Sequence, residues 1–144
     1  MKIKNKLLVV LLLFLSSCAF TQVMPENEVN CPNAPKCVSS QVSNPRHYIE
    51  PFTFSDEPVE AMARLKAALL VEKRVTIVKE QASYLRAEVR SLIFKFVDDV
   101  EFTLLPEQGL IHIRSSARTG YSDFGVNRRR IERIRSMFQG KSSE

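Results

Sequence analysis

Hydrophobic spacing along the chain changes period partway. Between Glu57 and Val71 the apolar residues Met62, Leu65 and Leu69 recur at helical intervals, with Glu60, Arg64 and Lys66 on the polar side. Ser55 or Asp56 is available as N-cap, and Pro58 suits the first turn, where its missing N–H has no helical partner to lose. After Lys73 the period falls to two. Val75 to Lys79, Tyr84 to Arg90, Val100 to Leu105 and Leu110 to Ser115 are short runs rich in β-branched and aromatic residues and predict strands. Pro106-Glu107-Gln108-Gly109 is a turn signal that joins the last two as a hairpin, and short links elsewhere favour an antiparallel meander. A short extended piece covers about Tyr48 to Phe54, and a second helix from about Val126 to Phe138 places Ile131, Ile134 and Phe138 on one side.

The strands have two distinct faces. Leu85, Ala87 and Val89 alternate with Tyr84, Arg86, Glu88 and Arg90, and Ile111 and Ile113 alternate with His112 and Arg114. One face is apolar and needs cover, which the two helices supply. The expected fold is α+β: a two-layer sandwich in which two helices cover one face of an antiparallel sheet of four to five strands. No repeat or low-complexity tract interrupts it.

The N-terminal segment does not belong to that fold. Lys2, Lys4 and Lys6 precede the unbroken apolar run Leu7 to Leu15. Nine helical residues span roughly 14 Å, about half of a ~30 Å hydrocarbon core, so the run reads as a signal segment and not as a membrane span. Leu15-Ser16-Ser17-Cys18 resembles the lipobox of bacterial lipoproteins, whose cysteine becomes the lipidated N-terminus. By that resemblance residues 1–17 are removed and acyl chains on Cys18 anchor the protein. Ala19, where an inner-membrane protein would carry Asp, resembles outer-membrane sorting with the domain facing the periplasm. Residues 18–30 mix Pro, Asn and Glu without periodicity and read as a tether of at most ~40 Å. Residues 31–139 form the single domain and 140–144 a disordered tail.

Cysteine usage fits an oxidising envelope. Cys31 and Cys37 are the remaining pair, and Pro32 and Pro35 stiffen the short loop between them, so a disulfide is expected. The rival, a metal pair, has no nearby His or further Cys to complete four ligands.

Loss of the three signal lysines lowers the formal charge from +5 to +2, with 18 basic against 16 acidic residues. Nothing in that balance implies a nucleic-acid partner. The charge is uneven: residues 110–139 hold seven Arg against two acids. Most of these arginines lie in the stretch Arg114 to Arg130, a loop entering a helix, with Gly120 and Gly125 and several hydroxyls. Arg114, Ser115, Arg118, Gly125, Asn127, Arg128 and Arg130 are therefore candidates for cradling an anion at a helix start. Alternatively, Asp123 or Asn127 caps the helix while the arginines pair with Asp98, Asp99, Glu88 and Glu132. Three arginines at a helix start oppose the macrodipole, so acids or a ligand must neutralise them.

A second cluster, Asp98, Asp99 and Glu101, places Asp99 and Glu101 on one strand face with Thr103, and Asp98 on the other or in the turn. Converging carboxylates would support a hydrolase or a metal-dependent enzyme; apart, they make cross-strand pairs with Arg86, Arg90 or Arg114. There is no G-x-S-x-G, and Ser115 or Ser116 with His112 is a poor start for a triad, because strand neighbours point to opposite faces. No catalytic residue, metal ligand or cofactor is assigned. The leading expectation is a non-enzymatic envelope module that binds an anionic lipid, a glycan or an acidic protein surface.

The stretches Cys31-Pro32 through Cys37-Val38-Ser39-Ser40, Phe96-Val97-Asp98-Asp99-Val100-Glu101, and Arg114-Ser115 through Gly120, Ser122-Asp123, Gly125, Asn127-Arg128, Arg130 and Glu132 together resemble the family known as domain of unknown function 1499. The likeness covers about residues 31 to 138, and the chain departs from the pattern at Ala117. The resemblance implies an envelope lipoprotein domain and assigns no activity, substrate or cofactor.

Overall fold

The computed structural model describes residues 30–140. The expected signal segment, Cys18, nearly all of the expected tether and residues 141–144 lie outside the described residues. The elements are β1 (Cys37–Ser39), β2 (Phe52–Thr53), α1 (Pro58–Leu70), β3 (Val75–Gln81), β4 (Tyr84–Arg90), β5 (Val97–Leu105), β6 (Leu110–Ala117) and α2 (Val126–Phe138).

Strands β3 to β6 form the antiparallel meander that the alternation predicts, in the order β1-β6-β5-β4-β3. Strand β2 shares the outer edge of β6 with β1, pairing Phe52 with Ile111 while β1 pairs Cys37 with Ser116. The sheet thus has six strands where four to five were expected. The addition is β1, whose three residues are too few to show an alternation and which the sequence presents as part of the cysteine loop. Its Cys37 is bonded to Cys31 with Cα atoms 5.5 Å apart, so the expected disulfide is present.

Leu85, Ala87, Val100, Phe102, Ile111 and Ile113 face the helices, and Leu65, Leu69, Ile131 and Ile134 close over them; every one of these is almost wholly buried. Each of them except the small Ala87 contributes about 1.5–3 kcal/mol of hydrophobic stabilisation, which fixes the register: a slip of one residue would turn Arg86 and Glu88 into the core. Between β5 and β6 a 3-10 turn, Pro106–Gln108, ends at Gly109 (φ 61°). A Cβ there would lie 2.7 Å from the Phe54 carbonyl oxygen, so only glycine lets the β2 segment approach the hairpin.

The start of α1 departs from expectation. Glu57 is the N-cap residue and no side chain caps the helix. Asp56, which was available for that role, instead holds Arg64 through a bidentate ion pair. No helix among the described residues is long and apolar enough to cross a membrane.

Candidate functional site

The arginine-rich loop and helix start sit at one end of the sheet, and the guanidinium groups of Arg114, Arg118, Arg128 and Arg130 are tied to partners within the molecule. On the face away from the helices, Asp99 accepts hydrogen bonds from Arg118 Nε at 2.7 Å and Arg86 Nη2 at 3.0 Å, and Arg118 also reaches Glu88. Burial alone would push the Asp99 carboxyl up. The hydrogen bonds from Arg118 and Arg86 outweigh it and hold the group below the usual range, while the same carboxylates raise Arg118. Glu101, on the same face, takes Arg114 Nη1 at 2.9 Å and the Tyr84 hydroxyl at 3.0 Å.

Asp98 points the other way, under α2. There Arg130 Nη2 donates to it at 2.7 Å and Arg130 Nη1 donates to the Asn127 carboxamide oxygen at 2.7 Å. The Ser115 hydroxyl meets the same oxygen, and Asn127 Nδ2 donates to Asp123 at 2.8 Å and to the Lys36 carbonyl at 3.3 Å. Asp123 in turn accepts the backbone N–H groups of Gly125 and Asn127, both at about 3 Å. It thus satisfies a free donor of the first turn of α2. Gly125 (φ 76°) is the N-cap residue that makes this turn possible. Arg128 donates to the carbonyls of Tyr48 and Arg46.

These contacts resolve the macrodipole conflict posed by the three arginines: Asp98 and Asp123 supply the negative charge at the helix start. They also separate the three carboxylates, because Asp98 lies on one face of β5 and Asp99 and Glu101 on the other, each with its own arginine. No group of three or more His, Cys, Asp or Glu side chains that could hold a metal occurs among the described residues.

The serine that reaches His112 is Ser40, which follows β1, and not Ser115 or Ser116. Ser40 Oγ accepts from the Ile113 N–H at 2.9 Å and lies 3.0 Å from His112 Nδ1. The hydroxyl keeps a proton and a second lone pair, so the ring's tautomer decides which partner of the Ser40–His112 contact donates, and the Ile113 carbonyl at 3.5 Å is the other acceptor within reach of that proton. Burial lowers the His112 pKa. The unfolded chain takes up a proton near pH 6.5 while the folded ring still refuses one, so stability falls as pH descends from about 6.5 toward the lower folded value. Above pH 6.5 both states are neutral and the group contributes nothing to the slope. A His112→Asn protein is expected to show a smaller loss of Tm between pH 7 and 5 than the wild type in parallel calorimetric scans; identical profiles would refute the assignment.

Beside the locked loop, the same end carries side chains with no such partners. The connection between β4 and β5 is Ser91 to Phe96, closed by the Ser91 N–H on the Phe96 carbonyl at 2.9 Å. Leu92, Ile93, Phe94 and Phe96 on it are 71, 77, 72 and 50 % exposed, and the rings of Phe94 and Phe96 stack at 5.4 Å. The loop from Arg118 to Gly125 lies alongside, tied by the Arg118 N–H to the Val97 carbonyl at 3.0 Å, and presents Tyr121 (75 %) and Phe124 (85 %). Lys73, Arg74, Lys95 and Arg129 surround this apolar tip without a carboxylate partner among the described residues. Arg74, Lys95 and Phe124 are also the described non-glycine residues with positive φ, a conformation that costs of order 1 kcal/mol each.

The chain enters the domain at this end too. Asn30 lies under Arg114, Cys31 is bonded to Cys37, and Cys37 faces Ser116 near the end of β6. Sequence reasoning missed the tip. The available signal was a run of apolar and aromatic residues, Leu92 to Phe94 and Phe96, in a connection between two strands, where turn-forming polar residues are the rule.

A groove of about 490 Å³ opens beside the tip, between the residues after α1, the outer side of α2 and the end of β4, with the Asp98–Arg130 pair in its floor. No curated protein matches the chain. Residues 29–138, well over half of the chain, match the family described as Protein of unknown function (DUF1499), and the chain belongs to that family.

Proposed function

We propose that the protein is a lipid-anchored module of the bacterial envelope whose anionic partner is a phospholipid bilayer, touched by the exposed end of the sheet. The observation that carries this reading is the gathering of Leu92, Ile93, Phe94, Phe96, Tyr121 and Phe124, each at least half exposed, at the end where the chain enters. Contiguous apolar surface of this kind marks an interaction site. Its rim of Lys73, Arg74, Lys95 and Arg129 fits anionic headgroups, at about 1 kcal/mol per cation near such a surface. Acyl chains on Cys18 would hold the domain within ~40 Å of the bilayer, a distance the dozen intervening residues span when extended. Arg114, Arg118, Arg128 and Arg130 then act as the internal ties that hold the tip rigid, and not as the headgroup ligands.

The test uses lipid-free chain beginning at Ala19, so that acylation cannot supply the affinity. It is expected to co-sediment with vesicles containing phosphatidylglycerol and to bind phosphatidylcholine vesicles more weakly. Ile93→Ser with Phe94→Ser removes two large exposed side chains worth about 1.5–3 kcal/mol each if fully buried, so binding should weaken at least tenfold with Tm unchanged. A folded double variant that binds as well as the wild type would end this proposal.

A further inference from the structure

The groove behind the tip has two chemical halves. Its apolar wall is Val71, Val89, Leu92, Val126 and Met137. Three of these, Val71, Leu92 and Val126, are 60, 71 and 40 % exposed, so the wall is open to water. The other half is cationic: five basic residues line the groove against Glu72 and Asp98, a surplus of three positive charges. Arg130 is committed to Asp98, Arg133 to Glu72 and Arg90 to Glu88. Lys73 and Arg74 are the uncommitted charges. Lys73 has no ion pair among the described residues, and Arg74 spends only its Nε, on the Arg90 carbonyl at 2.9 Å. Arg74 itself has a backbone φ of 60°, and the bond from its Nε to the Arg90 carbonyl is what orients its guanidinium at the mouth.

An exposed aliphatic wall facing unspent cations suits a ligand with an alkyl chain and one anionic head. The volume of about 490 Å³ falls in the range of small-molecule sites, and Leu92 belongs to both the groove and the tip, so the groove opens where the domain would meet a bilayer. We infer that the groove binds a single anionic amphiphile, a carboxylate or phosphate headgroup with its alkyl chain, the head on Lys73 and Arg74 and the chain along Val71, Val126 and Met137. The inference rests on the membrane-surface reading for its supply of ligand, and it is tested separately from it.

The full-length lipoprotein, purified from membranes in mild detergent with whatever processing the cell gives it, is titrated in native mass spectrometry. The probes are dioctanoyl phosphatidylglycerol, laurate, dioctanoyl phosphatidylcholine and inorganic phosphate. One molecule of phosphatidylglycerol or laurate per chain is expected, retained at least tenfold better than phosphatidylcholine, with inorganic phosphate not retained. Which of the two anions binds more tightly tells lipid headgroup from free fatty acid. Lys73→Gln with Arg74→Gln should weaken retention at least tenfold, and Val126→Glu, which charges the wall at an exposed position, should do the same. Equal retention of phosphatidylcholine, retention of inorganic phosphate as tight as the amphiphile, or unchanged binding by both folded variants would each overturn the inference. Ile93→Ser with Phe94→Ser lies outside the groove and should leave retention intact while lowering vesicle binding. Retention without any vesicle binding by the wild type would therefore remove the bilayer reading and leave the groove standing.

Discussion

Arg130→Ala is expected to cost about 3–5 kcal/mol of folding stability, the largest loss from any single polar substitution in the domain. The arginine is 5 % exposed and holds Asp98 and Asn127, both at 2.7 Å. Truncating it leaves the Asp98 carboxylate under α2 with no positive partner in contact, and a buried uncompensated charge is far more costly than the pair was favourable. For a domain of this size the change corresponds to a fall in Tm of roughly 10–25 °C, measured by thermal and urea unfolding followed by circular dichroism. Adding Asp98→Ala to Arg130→Ala removes the orphaned charge, so the double variant should recover part of the loss and the cycle should show a coupling of at least 1 kcal/mol. A loss below 1 kcal/mol for Arg130→Ala would mean that water reaches Asp98 and that the ion pair does not hold the helix start.

The same pair explains why the arginine-rich segment invites an anion-site reading from sequence. Density of arginine, glycine and hydroxyl is local and visible, whereas the partners are remote: Asp98 is 32 positions before Arg130, and Glu88 is 30 before Arg118. Strand alternation did place Asp99 and Glu101 on one face, and the meander set them beside Arg86 and Arg114. What alternation cannot show is that Asp98, on the helix-covered face, meets α2 at Arg130, because that contact depends on how the helix crosses the sheet. The Cys31–Cys37 bond was legible because its geometry is local. Strand β1 was not, since its pairing is decided by the edge of β6. The tip escaped because hydrophobic residues are ordinarily read as core, and only the observed exposure of Leu92 to Phe94 reverses that reading.

Phe52→Ala is the second large effect expected, at about 3–5 kcal/mol. Strand β2 is two residues long, so its backbone pairing with β6 is slight, and its hold on the domain comes from one side chain. The Phe52 ring is fully buried, stacks on Phe138 at 5.3 Å, meets Phe102 at 6.1 Å and lies 4.6 Å under the Arg135 guanidinium. Arg135 also donates to the carbonyls of Pro51 and Glu50, so the segment before β2 clamps the last turns of α2. Truncation would open a cavity between sheet and helix that neither can close, because both are fixed by other contacts. Phe52→Leu, which keeps most of the volume, should lose less than half as much. The consequence extends to the groove, whose wall includes Met137, next to Phe138 in α2. In a Phe52→Ala protein kept folded at low temperature, retention of the anionic amphiphile should weaken while bilayer contact through Ile93 and Phe94 persists, because the β4–β5 connection is closed by its own hydrogen bonds between Ser91 and Phe96. Weakening of both together would mean that α2 and the tip move as one unit.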